Sequence, residues 1–160
     1  MYAIGDKIVY PPYGAGVIEN IEEKEVDGQL QTYYALHIPV GNLKILISAS
    51  KAPTLGVRPI YPKGEMEAVL RAVLKEPIVM SDNWNQRYKD NMELIKSGNL
   101  SLAALVYRNL MLRERERGLS TAEKKMMTSA KSVILSELML SQEVDKPDAE
   151  AILDNIFASA

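Results

Sequence analysis

The amino-acid sequence predicts an α+β protein of two domains, a small Tudor/SH3-like β-barrel followed by a compact all-α bundle of about five helices. Two distributions carry that prediction. Seven of the eight Pro lie at or before Pro77, with the next at Pro147, and six of the eight Tyr fall within the first 61 residues. Proline interrupts helices and central strands, whereas aromatic and β-branched residues suit a pleated surface. The third observation is a change of period. Short apolar runs broken by turn residues precede Gly64, and apolar residues at 3.6-residue spacing follow it. The expected domains are residues 1–62 and 63–160.

The first strand is Lys7 to Tyr10, which runs into Pro11, Pro12 and a turn at Tyr13-Gly14-Ala15-Gly16. Gly16 to Lys24 and Leu30 to Ile38 flank Asp27-Gly28, a dipeptide whose two residues can both take φ > 0 in a tight hairpin. Pro39 ends a strand, Gly41-Asn42 turns, and Leu43 to Ile47 returns. A short segment from Val57 to Ile60 precedes Tyr61-Pro62. Five strands in so short a stretch make a small barrel. A domain of this size buries only ~60% of its unfolded surface, so it is expected to lean on the helical part.

Helices follow. Glu65 to Lys75 places Met66, Val69, Leu70 and Val73 on one face and stops before Pro77. Ser81 or Asp82 can cap a helix running to about Lys96, and Ser97-Gly98-Asn99 ends it. The next runs from about Ser101 to Arg117 with Leu102, Leu105, Val106, Asn109 and Leu110 on a stripe. Ser120-Thr121-Ala122-Glu123 is a capping box, in which hydroxyl and carboxylate satisfy free N–H groups reciprocally. Its helix turns Met126, Met127, Ala130, Val133, Ile134 and Leu138 toward a core. Asp145-Lys146-Pro147 opens a last helix ending near Phe157, with Pro where its missing N–H costs nothing.

Composition excludes several function classes. The absence of Cys removes disulfides, thiolate catalysis and cysteine-ligated zinc. A single His, His37, removes His-pair metal sites, and its place beside Pro39 marks it as structural or solvent-facing. Gly14-Ala15-Gly16 is no nucleotide fingerprint, because a third Gly would be needed at Glu19 and no helix follows. Glu22 and Glu23 face opposite sides of a strand and cannot flank one bond. No catalytic set survives, so a non-enzyme without metal, cofactor or small-molecule substrate is expected. No apolar run approaches 18 residues and MYAIGDK lacks a signal-peptide pattern, which together predict a cytoplasmic protein with no membrane partner.

The formal net charge of −2 conceals three unlike segments. Residues 1–60 hold five basic and six acidic side chains, residues 61–140 thirteen and ten, and the tail from Ser141 one and five. Within Ser81 to Lys131 the count is ten against six. Arg113 to Arg117 alternate in sign at a helix end, as dipole and i,i+4 pairing favour. The most informative segment is Asn83-Trp84-Asn85-Gln86-Arg87-Tyr88-Lys89, which holds the only Trp at a helix start among amides and two cations. Such a start suits phosphate, and a large apolar side chain beside it can unstack a base step in a minor groove. The competing reading is that Trp84 folds inward and pins its helix.

The stretches GDKIVYPPYGAGVIENIEE, NWNQRYK and RERERGLSTAEKKMMTSAKSVILSEL, in this order and spacing from Gly5 to the last helix, resemble the CarD/CdnL family of bacterial transcription regulators. The N-terminal module also resembles the polymerase-interacting domain of transcription-repair coupling factors, without any helicase motif. The resemblance implies a Tudor-like domain that binds the RNA polymerase β subunit. It also implies a helical domain that meets promoter DNA, largely independently of sequence, at the upstream edge of the melted bubble. There Trp84 matches the family's minor-groove wedge and stabilises the open complex. Around it the implied DNA-contacting set is Trp84, Asn85, Gln86, Arg87 and Lys89, with Gln86 standing where members often have Arg. On the polymerase side Lys24 matches a basic position of the second strand. Leu46 stands at a family Arg, with Lys44 two residues away on the same face, so either Lys44 supplies the charge or the partner surface is more apolar. The alternative function is a polymerase-binding adaptor with no direct DNA contact.

Overall fold

A computed structural model describes residues 1–11 and 13–160. The expected place of Pro12 in the first turn lies outside the described residues. Among the described residues five strands form one antiparallel sheet: β1 (Lys7–Tyr10), β2 (Gly14–Val26), β3 (Gln29–Ile38), β4 (Leu43–Ser48) and β5 (Arg58–Pro59), in the order β4-β3-β2-β1-β5. Five helices follow: α1 (Glu65–Val73), α2 (Trp84–Lys96), α3 (Leu100–Arg117), α4 (Thr121–Gln142) and α5 (Lys146–Phe157). The α+β layout is as expected. β4 and β5 end the sheet, and no ladder joins them among the described residues.

The β2–β3 hairpin turns at Asp27 and Gly28, with φ of 52° and 78°, so both residues take the left-handed conformation that a two-residue turn demands. One sheet face buries Ile8, Ile18, Leu36, Ile38 and Ile47 around Tyr34, whose hydroxyl accepts the Tyr2 N–H at 3.1 Å. A bulge at Glu19 shifts the β2–β3 register between Ile18 and Asn20. Gly14 to Gly16 are not part of a turn, as their composition suggested, but the opening of β2, paired with β1. They are small because α4 and β3 lie against them. A Cβ on Gly14, where φ is +122°, would sit 2.7 Å from Ser136 Oγ, and one on Gly16 would collide with the His37 carbonyl.

The helices begin where their caps dictate. Asn83, Asn99, Ser120 and Asp145 each accept, through the side chain, the N–H of the residue three further on. The cap of α2 is Asn83 rather than Ser81 or Asp82, because the Ser81 hydroxyl accepts the Asn83 N–H at 3.2 Å. α1 ends at Val73, short of Lys75, and Arg108 of α3 reaches its end. That guanidinium donates to the carbonyls of Val73 and Glu76, both at 2.7 Å, and of Pro77 at 3.3 Å. A buried cation is tolerated there because it faces the negative end of the α1 dipole, and burial pulls its pKa below the ordinary value. The bundle core gathers Met66, Leu70, Leu110, Ile134, Leu138 and Leu153, with Tyr107 edge-on to Phe157 at 5.4 Å.

α4 is buried on two sides. Its Met126, Ala130, Ile134 and Leu138 face the bundle, while Ser136 and Glu137 lie under the sheet. Ser136 Oγ accepts the Ala15 N–H at 2.8 Å and donates to the Val133 carbonyl at 2.7 Å. Glu137, 1% exposed, receives Arg58 in a two-pronged contact, 2.8 Å at each oxygen, and also the Tyr61 N–H at 2.9 Å. Arg58 Nε donates to the Gly98 carbonyl at 2.6 Å. The sheet thus leans on the helices through fully used polar groups. Among the described residues no helix is long and apolar enough to cross a membrane.

Candidate functional site

The first turn of α2 presents Trp84 beside the first turn of α4. Trp84 is 41% exposed, so it is neither a core residue nor a free one. Its ring stacks on Tyr88, one turn later, with centroids 5.4 Å apart and planes inclined by 22°. Its indole Nε1–H donates to Ser120 Oγ at 3.2 Å. Asn85, Gln86 and Lys89 are exposed around it. The Gln86 amide donates to Asp90 Oδ1 at 2.7 Å, which holds it along the helix. The first turn of α2 carries no acid, and its capping group is the neutral Asn83 side chain, which accepts the Gln86 N–H at 3.0 Å.

Arg87 is the departure from the expected DNA-contacting set. It is 3% exposed and points inward. Its Nε and Nη2 donate to the two carboxylate oxygens of Glu123 at 2.9 and 3.0 Å, and Nη1 donates to the carbonyls of Ser81 and Asp82. Buried and with its charge matched by Glu123, Arg87 is not available to a phosphate, and Lys89 is the exposed cation of the segment. The bonds from Arg87 hold the Glu123 carboxyl below the ordinary carboxylate range although burial pushes it up. The same bonds raise the Arg87 guanidinium above its usual value. The expected capping box is therefore half formed. Ser120 Oγ accepts the Glu123 N–H at 3.2 Å, while the Glu123 carboxylate is committed to Arg87 instead of to the Ser120 backbone.

A signal for this arrangement existed in the sequence. Stepping back by fours from the buried Ile95 gives Asn91 and Arg87, so the inward face of α2 passes through Arg87. Arg108 is likewise a cation on the buried side of its helix.

The second candidate surface is the outer face of the sheet. Lys24 on β2 and Lys44 and Leu46 on β4 line one shallow depression with Glu19, Glu22 and Ala35. The three residues singled out for polymerase contact are therefore brought together. Leu46, 43% exposed, stands opposite Ala35, and Lys44 stands opposite His37. Acids lie beside both cations: Glu22 is 3.9 Å from the Lys24 ammonium, and Glu19 is 4.0 Å from that of Lys44. Glu19 occupies the bulge, and His37, between Glu19 and Asn42, is a surface residue of this face. The face is thus of mixed charge, with the apolar Leu46 on its edge strand.

Two family models match the chain. Residues 2–61 match the family model of the CarD-like/TRCF RID domain, and residues 68–154 match that of the CarD C-terminal domain. The chain is 37% identical over 138 residues to a Bacillus subtilis (strain 168) protein named "Putative transcription factor YdeB". That alignment covers 86% of this chain and 90% of the relative.

Proposed function

We propose, from the premise that this chain belongs to the CarD family of transcription regulators, that it binds the RNA polymerase β subunit through its sheet and promoter DNA through its helices. In this reading residues 1–62 are the polymerase-binding part, with Lys24, Lys44 and Leu46 at the contact, and residues 63–160 are the DNA-contacting part. Trp84 enters the minor groove at the upstream edge of the bubble, flanked by Asn85, Gln86 and Lys89, and stabilises the melted state. Arg87 supports that surface from beneath. The observation that carries the proposal is the placement of Trp84, a large aromatic held half-exposed beside amides and a cation, which is the chemistry of a side chain that unstacks a base step.

The weak charge of the helical surface suits tethering. Once bound to polymerase, a module on a short connection acts at an effective concentration of roughly millimolar, so it need not find DNA unaided. A preference for the open state of ~1.4 kcal/mol shifts the promoter equilibrium tenfold. Trp84→Ala is expected to shorten the open-complex lifetime by about that factor, measured by competitor challenge with cognate polymerase. A folded Trp84→Ala protein with wild-type lifetime would overturn the wedge. One observation favours the alternative of an adaptor without DNA contact: the polar groups of Trp84, Gln86 and Arg87 already have partners within the protein. Emission of Trp84 that is unaffected by DNA in the ternary complex would favour that alternative.

A further inference from the structure

Trp84, Ser120, Glu123 and Arg87 close a ring between two helix starts. Trp84 and Arg87 are three residues apart on α2, and the cap Ser120 and Glu123 are three residues apart at the start of α4. The Ser120 oxygen accepts from the Trp84 indole at 3.2 Å and from the Glu123 N–H at 3.2 Å, and its own hydrogen is directed at Glu123 Oε1, 3.5 Å away. A hydroxyl offers two acceptor sites and one donor, so Ser120 is fully used. Glu123 is in turn held by the buried Arg87. The hydroxyl therefore has a fixed place, and the indole that bonds to it inherits an orientation. Tyr88 covers one face of the ring.

We propose that Ser120 is a positioning residue for Trp84, setting the angle at which the indole meets DNA. The proposal rests on the wedge reading above and deepens it. Two consequences follow from the geometry. The indole arrives with its rotamer already selected, so binding does not have to freeze it. Its only hydrogen-bond donor is spent inside the protein, so it meets the base step through an apolar face and edge. Swapping the base pair at the wedge position should therefore matter little, whereas loosening the ring should matter more. The freezing of one side chain, read as a ratio, is about two- to tenfold.

The sole Trp makes the test direct in the full-length protein. Ser120→Gly removes the hydroxyl while leaving a residue that serves nearly as well at a helix cap, and Ser120→Thr keeps the hydroxyl. Time-resolved anisotropy is expected to show faster indole rotation in Ser120→Gly and wild-type rotation in Ser120→Thr. Open-complex lifetime should fall about two- to tenfold in the Gly variant and be restored in the Thr variant. In a Trp84→Phe background, which has no donor to lose, Ser120→Gly should change the lifetime no further. Additional loss there would assign the effect to the α4 cap and overturn the proposal. So would an unchanged lifetime in Ser120→Gly beside a shortened one in Trp84→Ala. An unchanged lifetime in Trp84→Ala would instead overturn the wedge reading itself, and with it the use assigned to Ser120.

Discussion

Arg87 and Glu123 face one another with 3% of each side chain exposed, joined by two hydrogen bonds. A buried pair of this kind contributes little over an apolar replacement, but removal of one member leaves the other charged and unsolvated. Arg87→Ala is expected to cost about 3–5 kcal/mol, measured by urea unfolding at neutral pH. Acid should reach the same pair. Because the folded Glu123 carboxyl titrates below its unfolded value, its contribution is complete above the ordinary Glu value of about 4.3 and is lost as pH falls from there through the folded value. Urea midpoints should fall over that window in wild type and fall less in Glu123→Gln. Both residues illustrate where sequence reading stops. Trp84, Asn85, Gln86 and Lys89 could be read as one exposed cluster because an amide-rich helix start is a local property. The spacing from Ile95 through Asn91 turns Arg87 inward, but the Glu123 that neutralises it lies 36 residues away, and no local spacing contains that partner.

At the scale of elements, most strands and helices were legible because their ends are marked locally, by Asp27-Gly28, Asn99, Ser120 and Asp145. The start of β2 was not. Gly14-Ala15-Gly16 has the composition of a turn, and the reason for its small residues is an α4 side chain more than a hundred positions later. Two glycines are needed because a Cβ on Gly14 would meet Ser136 and one on Gly16 would meet the His37 carbonyl. Ser136→Ala would leave the buried Ala15 N–H without an acceptor, at a cost of about 1–3 kcal/mol. Gly14→Ala should be more damaging, since the positive φ and the clash with Ser136 act together. Thermal unfolding of the two variants in parallel checks the order. If Gly14→Ala were the milder, Ser136 would have room to move.

Over the whole molecule, the expectation that a small sheet must lean on the helices is met at Glu137, whose two oxygens serve three donors from Arg58 and Tyr61. Glu137→Ala is expected to lose about 3 kcal/mol, at the lower end for a broken pair because Arg58 is a quarter exposed and can rehydrate. It should also broaden or split the calorimetric transition, as sheet and helices cease to unfold together. A single sharp transition at a lower temperature would mean that Ser136 and the glycine contacts suffice to couple them. The hydrophobic pattern of α4 does not contain these contacts, because it marks apolar positions such as Ile134 and Leu138 and passes over the polar Ser136 and Glu137. The burial of α4 on both faces has a consequence for inheritance. A helix that serves as a common wall cannot be handed down with one half alone. A chimera that takes residues 1–62 from a relative will fit only if its glycines and its Arg match the Ser136 and Glu137 already in place. Recombination between members should therefore preserve β2 and α4 as a linked pair, although they lie at opposite ends of the chain.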